Sequence, residues 1–177
     1  MTITIYAASS PHISPVYRQA AKELGRLIAE KGITCINGAG KAGLMAQVTD
    51  TVLENGGRVI GILPQFIVDS YGGHPRLTER IVTPDMHTRK QLMAQKSDAC
   101  IALPGGVGTL EELLEIITWK QLGLYSKPVV ILNTNAYFDD LLQMLKKAEQ
   151  EHFIHHSHSP LWSVAETPEE AFKQIGL

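Results

Sequence analysis

An α/β fold with a doubly wound, mainly parallel sheet is predicted by two features of this sequence. Short apolar runs alternate with longer amphipathic segments, and glycine-rich turns follow two of the apolar runs. Strands that alternate with helices pair in parallel through right-handed crossovers, which places helices on both faces of the sheet. The chain has 177 residues, 44% of them apolar and 19% charged. We therefore expect a single domain, residues 1–177, with a substantial core.

The individual elements follow from apolar periodicity and from turn residues. The predicted strands are Ile3–Ala8, Ile33–Asn37, Arg58–Leu63, Asp98–Leu103 and Val129–Asn133, and Ser163–Ala165 is expected to pair at an edge. The predicted helices are Pro15–Lys31, Leu44–Asn55, Asp85–Gln95, Thr109–Leu122, Phe138–Glu151 and Pro168–Ile175. Pro15 suits a first helical turn, and Gly32 suits a C-terminal cap. The segment from Pro64 to Pro84 is less regular, and a loop of such length is often functional. This order is typical of a Rossmann-like fold, in which ligands bind at the carboxyl ends of the strands.

Composition and charge argue against several classes of partner. The net charge is −2, and no basic cluster is longer than Lys146-Lys147, so a nucleic acid partner is not expected. The N-terminus lacks the basic start of a signal peptide, and no stretch approaches the ~18 apolar residues that span a bilayer, so no membrane association is expected. Cys35 and Cys100 lie inside apolar runs and are predicted to be buried, reduced thiols, which fits a cytoplasmic protein.

The first glycine-rich turn, Gly38–Gly43, matches the spacing G-x-G-x-x-G between a strand and a helix. A dinucleotide site also needs an acidic residue about 20 positions further on, and Arg58–Leu63 contains none. NAD is therefore not expected. Two interpretations stay open, a close approach of the backbone to a ligand and a tight turn that packs a strand against a helix.

The second glycine-rich turn, Pro104–Thr109, is predicted to bind phosphate. Glycines let backbone N–H groups surround an anion, and the N-terminus of the following helix adds partial positive charge. Glu112 has two interpretations. It completes a capping box that begins at Thr109, in which its side chain would accept a bond from the Thr109 N–H. It also lies close enough to a ligand on this turn to take part in chemistry.

Two further clusters carry charge or metal-binding side chains. Arg89 and Lys90 stand near a predicted helix start, where cations oppose the helix dipole. An anionic ligand or a facing carboxylate would explain them, and a solvated surface pair is the alternative. His152, His155, His156 and His158 match no zinc spacing, so we expect an exposed loop and no metal.

Three segments taken together resemble one family. They are Met86-His87-x-Arg89-Lys90, Pro104-Gly105-Gly106-x-Gly108-Thr109-x-x-Glu112 and Thr118-Trp119-x-Gln121-Leu122-Gly123. They resemble the LOG family, whose members are cytokinin riboside 5′-monophosphate phosphoribohydrolases, often labelled lysine decarboxylases. The resemblance extends to Ser9-Ser10 and to Gly43-Leu44-Met45. It departs at Ala7-Ala8, Ala39 and Ala46, and Val68–Pro75 does not align with the family's base-side segment.

The resemblance implies a homodimer that hydrolyses the N-glycosidic bond of a nucleoside 5′-monophosphate. The small-molecule substrate would be AMP or a cytokinin riboside 5′-monophosphate, and the products a free base and ribose 5-phosphate. The catalytic pair would be Arg89 and Glu112, without a metal or organic cofactor. The substrate-binding and phosphate-binding positions would be Met86, Lys90, Gly105, Gly106, Val107, Gly108, Thr109 and Thr118. A nucleotide-binding carrier of the same fold is the alternative. A pyridoxal-phosphate lysine decarboxylase is not expected, because neither Lys41 nor Lys90 has a context that suits a Schiff base.

Overall fold

The sheet of this protein has seven strands, all parallel, in the order β4-β3-β2-β1-β5-β6-β7. The computed structural model describes residues 1–154 and 160–177. The strands are β1 (Thr2–Tyr6), β2 (Thr34–Asn37), β3 (Arg58–Pro64), β4 (Glu79–Thr83), β5 (Ala99–Ala102), β6 (Val129–Leu132) and β7 (Ser163–Ala165). The predicted α/β class, the parallel pairing and the edge position of Ser163–Ala165 are confirmed.

The described residues form seven α-helices, of which the first six connect successive strands and the last follows β7. They are α1 (Pro15–Glu30), α2 (Gly43–Glu54), α3 (Gln65–Tyr71), α4 (Met86–Lys96), α5 (Val107–Gln121), α6 (Asp139–Gln150) and α7 (Pro168–Gln174). None of them is long and apolar enough to cross a membrane. Strands β2 to β4 lie on one side of β1 and strands β5 to β7 on its other side, which places the loops that follow β1 and β5 side by side. Such a switch point is where an open parallel sheet binds ligands.

Successive side chains of a strand point to opposite faces of the sheet, so the core is divided into two clusters, one on each face. Ile3 and Ile5 of β1 pack on one face with apolar residues of α1, α2 and α7. Tyr6 packs on the other face with residues of α4 and α5. Helices therefore cover both faces, as the sequence predicts. Both cysteines are free and buried, and burial raises the pKa of the Cys35 thiol to about 12.

The prediction of an irregular segment from Pro64 to Pro84 is wrong in part, because the segment contains α3 and the edge strand β4. No residue of α3 is buried, and the helix has only seven residues, too few to show a clear helical period in the sequence. Of the predicted histidine loop, His152 lies in a turn after α6, whereas His155, His156 and His158 lie outside the described residues. No group of residues suited to hold a metal ion was found in the described parts of the chain.

Candidate functional site

A cavity of about 760 Å³ lies at the carboxyl ends of the strands. The loops that follow β1, β2, β3 and β5 form its walls, together with the first turns of α4 and α5. Its lining residues include Ser9, Ser10, Gly38, Ala39, Gly40, Lys41, Met45, Ile67, Tyr71, Met86, Arg89, Gly106, Val107, Gly108, Thr109 and Glu112. Its volume is in the range of small-molecule binding sites.

The N-terminus of α5 forms one end of this cavity. The helix begins at Val107, and Gly106 occupies the N-cap position without a side-chain cap. The first backbone bond back to Gly106 comes from Leu110, at 3.0 Å, so the preceding N–H groups have no partner within the helix. A Cβ on Gly106 or Gly108 would meet no protein atom within 4 Å, whereas one on Gly105 would lie 2.1 Å from Thr109 Oγ1. Gly106 and Gly108 thus leave space for a ligand, and Gly105 allows close packing of the turn.

The predicted capping box does not form. Thr109 is the third residue of α5, not its N-cap, so Glu112 begins the second turn and cannot reach back to cap the helix. The Glu112 carboxylate instead accepts a hydrogen bond from Arg89, across the gap between α4 and α5. The helix begins two residues earlier than the position of the threonine indicated.

Arg89 and Glu112 form a buried ion pair at the floor of the cavity. Arg89 Nη1 donates to Glu112 Oε1 at 2.6 Å, and each side chain is only 8% exposed. Arg89 Nε donates to the Ile62 carbonyl at 3.0 Å, which fixes the plane of the guanidinium. Burial raises the pKa of the Glu112 carboxyl above its ordinary value, and the charge and hydrogen bond of Arg89 oppose that rise. The pair therefore presents a carboxylate held in one orientation beside an open cavity.

The Gly38–Gly43 turn forms the tight packing that was one interpretation of its sequence, and it also lies at the cavity, so the other interpretation stays a prediction. It lines the cavity, and its glycines also permit close packing. A Cβ on Gly38 would lie 2.2 Å from Arg89 Nη2, so a glycine there makes room for the guanidinium. Gly43 has a φ of +68°, and a Cβ on it would lie 2.6 Å from the carbonyl oxygens of Ala8 and Ser10. The turns after β1 and β2 are consequently packed directly against each other.

Comparison with known proteins identifies the family. The model of the family described as "Possible lysine decarboxylase" matches residues 45–175. A cytokinin riboside 5′-monophosphate phosphoribohydrolase of Rhodococcoides fascians is 42% identical over 154 residues, which cover 86% of this chain and 78% of that protein. One from Arabidopsis thaliana is 40% identical over 173 residues, which cover 98% of this chain and 80% of that protein. The chain belongs to the LOG family.

Solved structures share the fold over nearly the whole chain. A structural-genomics X-ray structure is 28% identical with a TM-score of 0.74, covering 98% of this chain and 97% of its own. The Moco carrier protein from Chlamydomonas reinhardtii is 25% identical with a TM-score of 0.72, covering 98% of this chain and 96% of its own. The LOG-family fold is thus close to that of a protein described as a carrier.

The remaining positions of the LOG-family motif lie at different distances from the cavity. Met86 lines it, at the start of α4. Lys90 does not line the cavity. Its Nζ forms ion pairs with Glu111 and with Glu115, whose Oε1 is 3.0 Å away. Although burial alone would lower the pKa of Lys90, these two carboxylates raise it overall. Thr118 lies three turns along α5 and donates to the Leu114 carbonyl at 2.7 Å. Arg89 and Lys90 thus each face carboxylates of α5, which was one of the interpretations of these adjacent cations in the sequence.

Sequence reasoning did not assign to the binding site three residues that line the cavity, Lys41, Ile67 and Tyr71. Ile67 and Tyr71 belong to α3, the helix that the sequence did not predict. Lys41 stands inside the first glycine-rich turn and was considered only as a Schiff-base lysine, a role that its context does not suit. The signal that could have found Lys41 was its position after a strand, at the edge of the sheet where ligands bind.

Proposed function

We propose that this protein hydrolyses the N-glycosidic bond of a nucleoside 5′-monophosphate, releasing a free base and ribose 5-phosphate. AMP and cytokinin riboside 5′-monophosphates are the substrates with which to test it. The observation that carries the proposal is the buried Arg89–Glu112 pair, placed between a glycine-lined helix N-terminus and an open cavity. The names of the LOG-family relatives support the same reaction.

Glu112 supplies the catalytic carboxylate in this proposal. Cleavage of a ribosyl bond develops positive charge at the anomeric carbon, and a fixed carboxylate beside it stabilises that charge or takes a proton from the attacking water. Arg89 acts as a fixed hydrogen-bond donor, since a guanidinium has five N–H donors and no acceptor. Its bonds to Ile62 and to Glu112 hold the carboxylate in place. Its other N–H groups are available to the substrate.

The phosphate occupies the N-terminus of α5. The free N–H groups of its first turn, between Gly106 and Thr109, and the helix dipole favour an anion there. Binding of the phosphate holds the ribose in place, so binding energy remote from the reacting bond supports the chemistry. Met86 borders the sugar from α4.

A carrier that binds a nucleotide without hydrolysis is the second candidate, favoured by the shared fold of the Moco carrier protein. It would use the same glycine-lined end of the cavity but would not need the carboxylate of Glu112. A pyridoxal-phosphate lysine decarboxylase fits poorly, since Lys90 is engaged with two glutamates and Lys41 stands exposed in a glycine-rich turn.

The experiment is an assay for free adenine with AMP as substrate, comparing the wild type with Glu112→Gln. The amide can still accept a hydrogen bond from Arg89 but offers no negative charge. We expect base release to fall by ~100-fold or more. The variant should still bind AMP, and it should lose about 3 kcal/mol of stability because the buried positive charge of Arg89 loses its counter-ion. AMP binding by the wild type without release of adenine would favour the carrier, and a stable Gln variant with full turnover would exclude a catalytic Glu112.

We also propose a cytoplasmic homodimer. The apolar residues of the run Ile116–Trp119 are turned mostly into the chain's own core. The exposed apolar surface beside it consists of Leu114, Leu122 and Leu124, at the outer face and C-terminal end of α5. An apolar patch of this kind suits contact with a second copy. The two buried, reduced thiols support a reducing compartment.

A further inference from the structure

A tyrosine outside the main cavity is bonded to the glycine turn that precedes α5. Tyr137, in the loop between β6 and α6, donates its O–H to the Gly105 carbonyl at 2.8 Å. Gly105 is buried, and no other donor to its carbonyl is found within residues 1–154 and 160–177. Tyr137, Gly105 and Gly106 also line a smaller cavity of about 290 Å³, of which the main cavity shares Gly106 but neither Tyr137 nor Gly105. Tyr137 therefore contacts the turn from the side opposite the main cavity.

The backbone before Tyr137 adopts an unfavourable conformation. Asn135 and Ala136 have φ values of +54° and +56°, in the left-handed region that residues with a Cβ seldom occupy. The Asn133 side chain supports the loop, since its Oδ1 accepts the Phe138 N–H at 2.7 Å. Such a conformation persists only where the surrounding structure imposes it, and it is common at functional sites. The loop is thus built to hold Tyr137 in one place.

Aromatic packing fixes the orientation of the Tyr137 ring. The ring makes edge-to-face contacts with Tyr17 of α1, at 5.7 Å between centroids, and with Phe138, at 5.0 Å. The Tyr17 hydroxyl accepts a bond from the Asn135 amide at 3.4 Å and makes no contact of this kind with Gly105. The two tyrosines therefore belong to one cluster, but only the hydroxyl of Tyr137 is bonded to the glycine turn.

A hydrogen bond to the Gly105 carbonyl determines the direction of the Gly106 N–H. The two groups belong to one planar peptide unit, in which the C=O and the N–H point in opposite directions. Between two glycines this unit could otherwise rotate at little cost, because neither residue has a Cβ. Rotation would direct a carbonyl oxygen, in place of an N–H donor, at an anion on the N-terminus of α5. With the carbonyl held by Tyr137, the Gly106 N–H points to the side of the main cavity.

We propose that Tyr137 is a positioning residue for the phosphate, which it holds indirectly by keeping the Gly106 N–H directed into the cavity. This inference rests on the phosphate position in the proposed function and adds a residue that the cavity lining does not include. Because Tyr137 acts through the backbone, loss of its hydroxyl should weaken ligands that carry a phosphate and leave others unaffected. A residue that only stabilised the fold would not discriminate between them.

The test is Tyr137→Phe, which removes the hydroxyl and keeps the ring contacts. Tyr17→Phe is the matched control, because it makes the same change in the same aromatic cluster without altering the bond to Gly105. Calorimetry measures the affinities for AMP, ribose 5-phosphate and adenosine. The KM and kcat for adenine release from AMP are measured alongside, with melting temperature as the check on folding.

We expect Tyr137→Phe to bind AMP and ribose 5-phosphate about tenfold more weakly, the value of one hydrogen bond to a charged group. The affinity for adenosine should not change. The KM for AMP should rise by a similar factor with little change in kcat, as happens when binding common to the substrate and the transition state is lost. The melting temperature should change little, since the Tyr137 side chain is 43% exposed. Tyr17→Phe should match the wild type in all of these measurements.

Three outcomes would overturn this inference: an unchanged AMP affinity in Tyr137→Phe, an equal loss for AMP and adenosine, or the same loss in Tyr17→Phe. The second would indicate general loosening of the turn, and the third would assign the effect to the aromatic cluster. A wild type that binds AMP without releasing adenine would contradict the proposed hydrolysis, whereas a phosphate-selective loss in Tyr137→Phe would still support the role of Tyr137. A wild type that binds AMP no better than adenosine would overturn both.

Discussion

At the residue scale, the protonation state of Glu112 controls the proposed chemistry. Burial raises the pKa of its carboxyl, and the adjacent Arg89 opposes that rise. A carboxyl with a raised pKa keeps its proton to a higher pH, so the ionised form that the reaction needs is lost earlier as the solution is acidified. The pH dependence of base release should therefore depend on the ion pair between Arg89 and Glu112.

The kcat/KM for AMP should fall on the acidic side with a midpoint above 4.5, the ordinary value for glutamate. Arg89→Met removes the opposing positive charge and should move that midpoint further up, with reduced activity at its optimum. The measurement is a pH–rate profile of base release for both proteins at constant ionic strength. A wild-type midpoint at or below 4.5, or a midpoint that Arg89→Met lowers, would contradict this assignment.

The sequence predicted the residue types at the proposed site better than it predicted their contacts. Threonine and glutamate at a capping-box spacing indicated a local bond, but the true partner of Glu112 lies 23 residues earlier in the chain. Spacing reports neighbours along one helix and carries no information on which helix packs opposite. The glycines were the better signal, because Gly38, Gly105 and Gly106 each leave room for a particular neighbour or ligand.

At the element scale, the first turn of α5 is proposed to discriminate between phosphorylated and unphosphorylated ligands. Gly106→Ala places a methyl group where no protein atom lies within 4 Å, so the fold should tolerate it. The methyl group would crowd a phosphate at the N-terminus of α5, and AMP affinity should fall about tenfold or more. Calorimetry with AMP and with adenosine measures this. Adenosine should bind weakly to both proteins. An unchanged AMP affinity in a folded Gly106→Ala variant would place the phosphate elsewhere.

The elements that the sequence predicted are those with a buried face. The helix boundaries of α1, α2 and α4 fall within one residue of their predicted limits, because local signals mark them: Pro15 at the start of α1, glycines after α1 and α2, and the N-cap Asp85 before α4. α3 and β4 were missed for the opposite reason. α3 buries no residue, and β4 is an edge strand with mostly exposed side chains, so neither shows the apolar pattern on which sequence prediction depends.

At the scale of the whole molecule, the exposed leucines of α5 and its C-terminal turn predict self-association. Replacing both Leu122 and Leu124 with glutamate should convert a dimer to a monomer, because charges within an apolar interface lose their hydration. Light scattering at micromolar concentration measures the mass. Met144→Glu, at an exposed apolar position of α6, is the control and should remain dimeric. A monomeric wild-type protein would contradict the proposed assembly.

Because α3 is exposed, the domain can accept changes in the sequence of this helix. Gly72 and Gly73, both with positive φ, follow the helix, and the next residue, His74, is anchored by its N–H to the Ala39 carbonyl at 2.8 Å. Pro64 fixes the other end at the sheet. Because no α3 side chain contributes to the core, the helix can be replaced by the corresponding helix of a homologue without repacking of the core. Chimeras made between Pro64 and Gly73 would replace the part of the cavity wall formed by Ile67 and Tyr71 at little cost in folding stability.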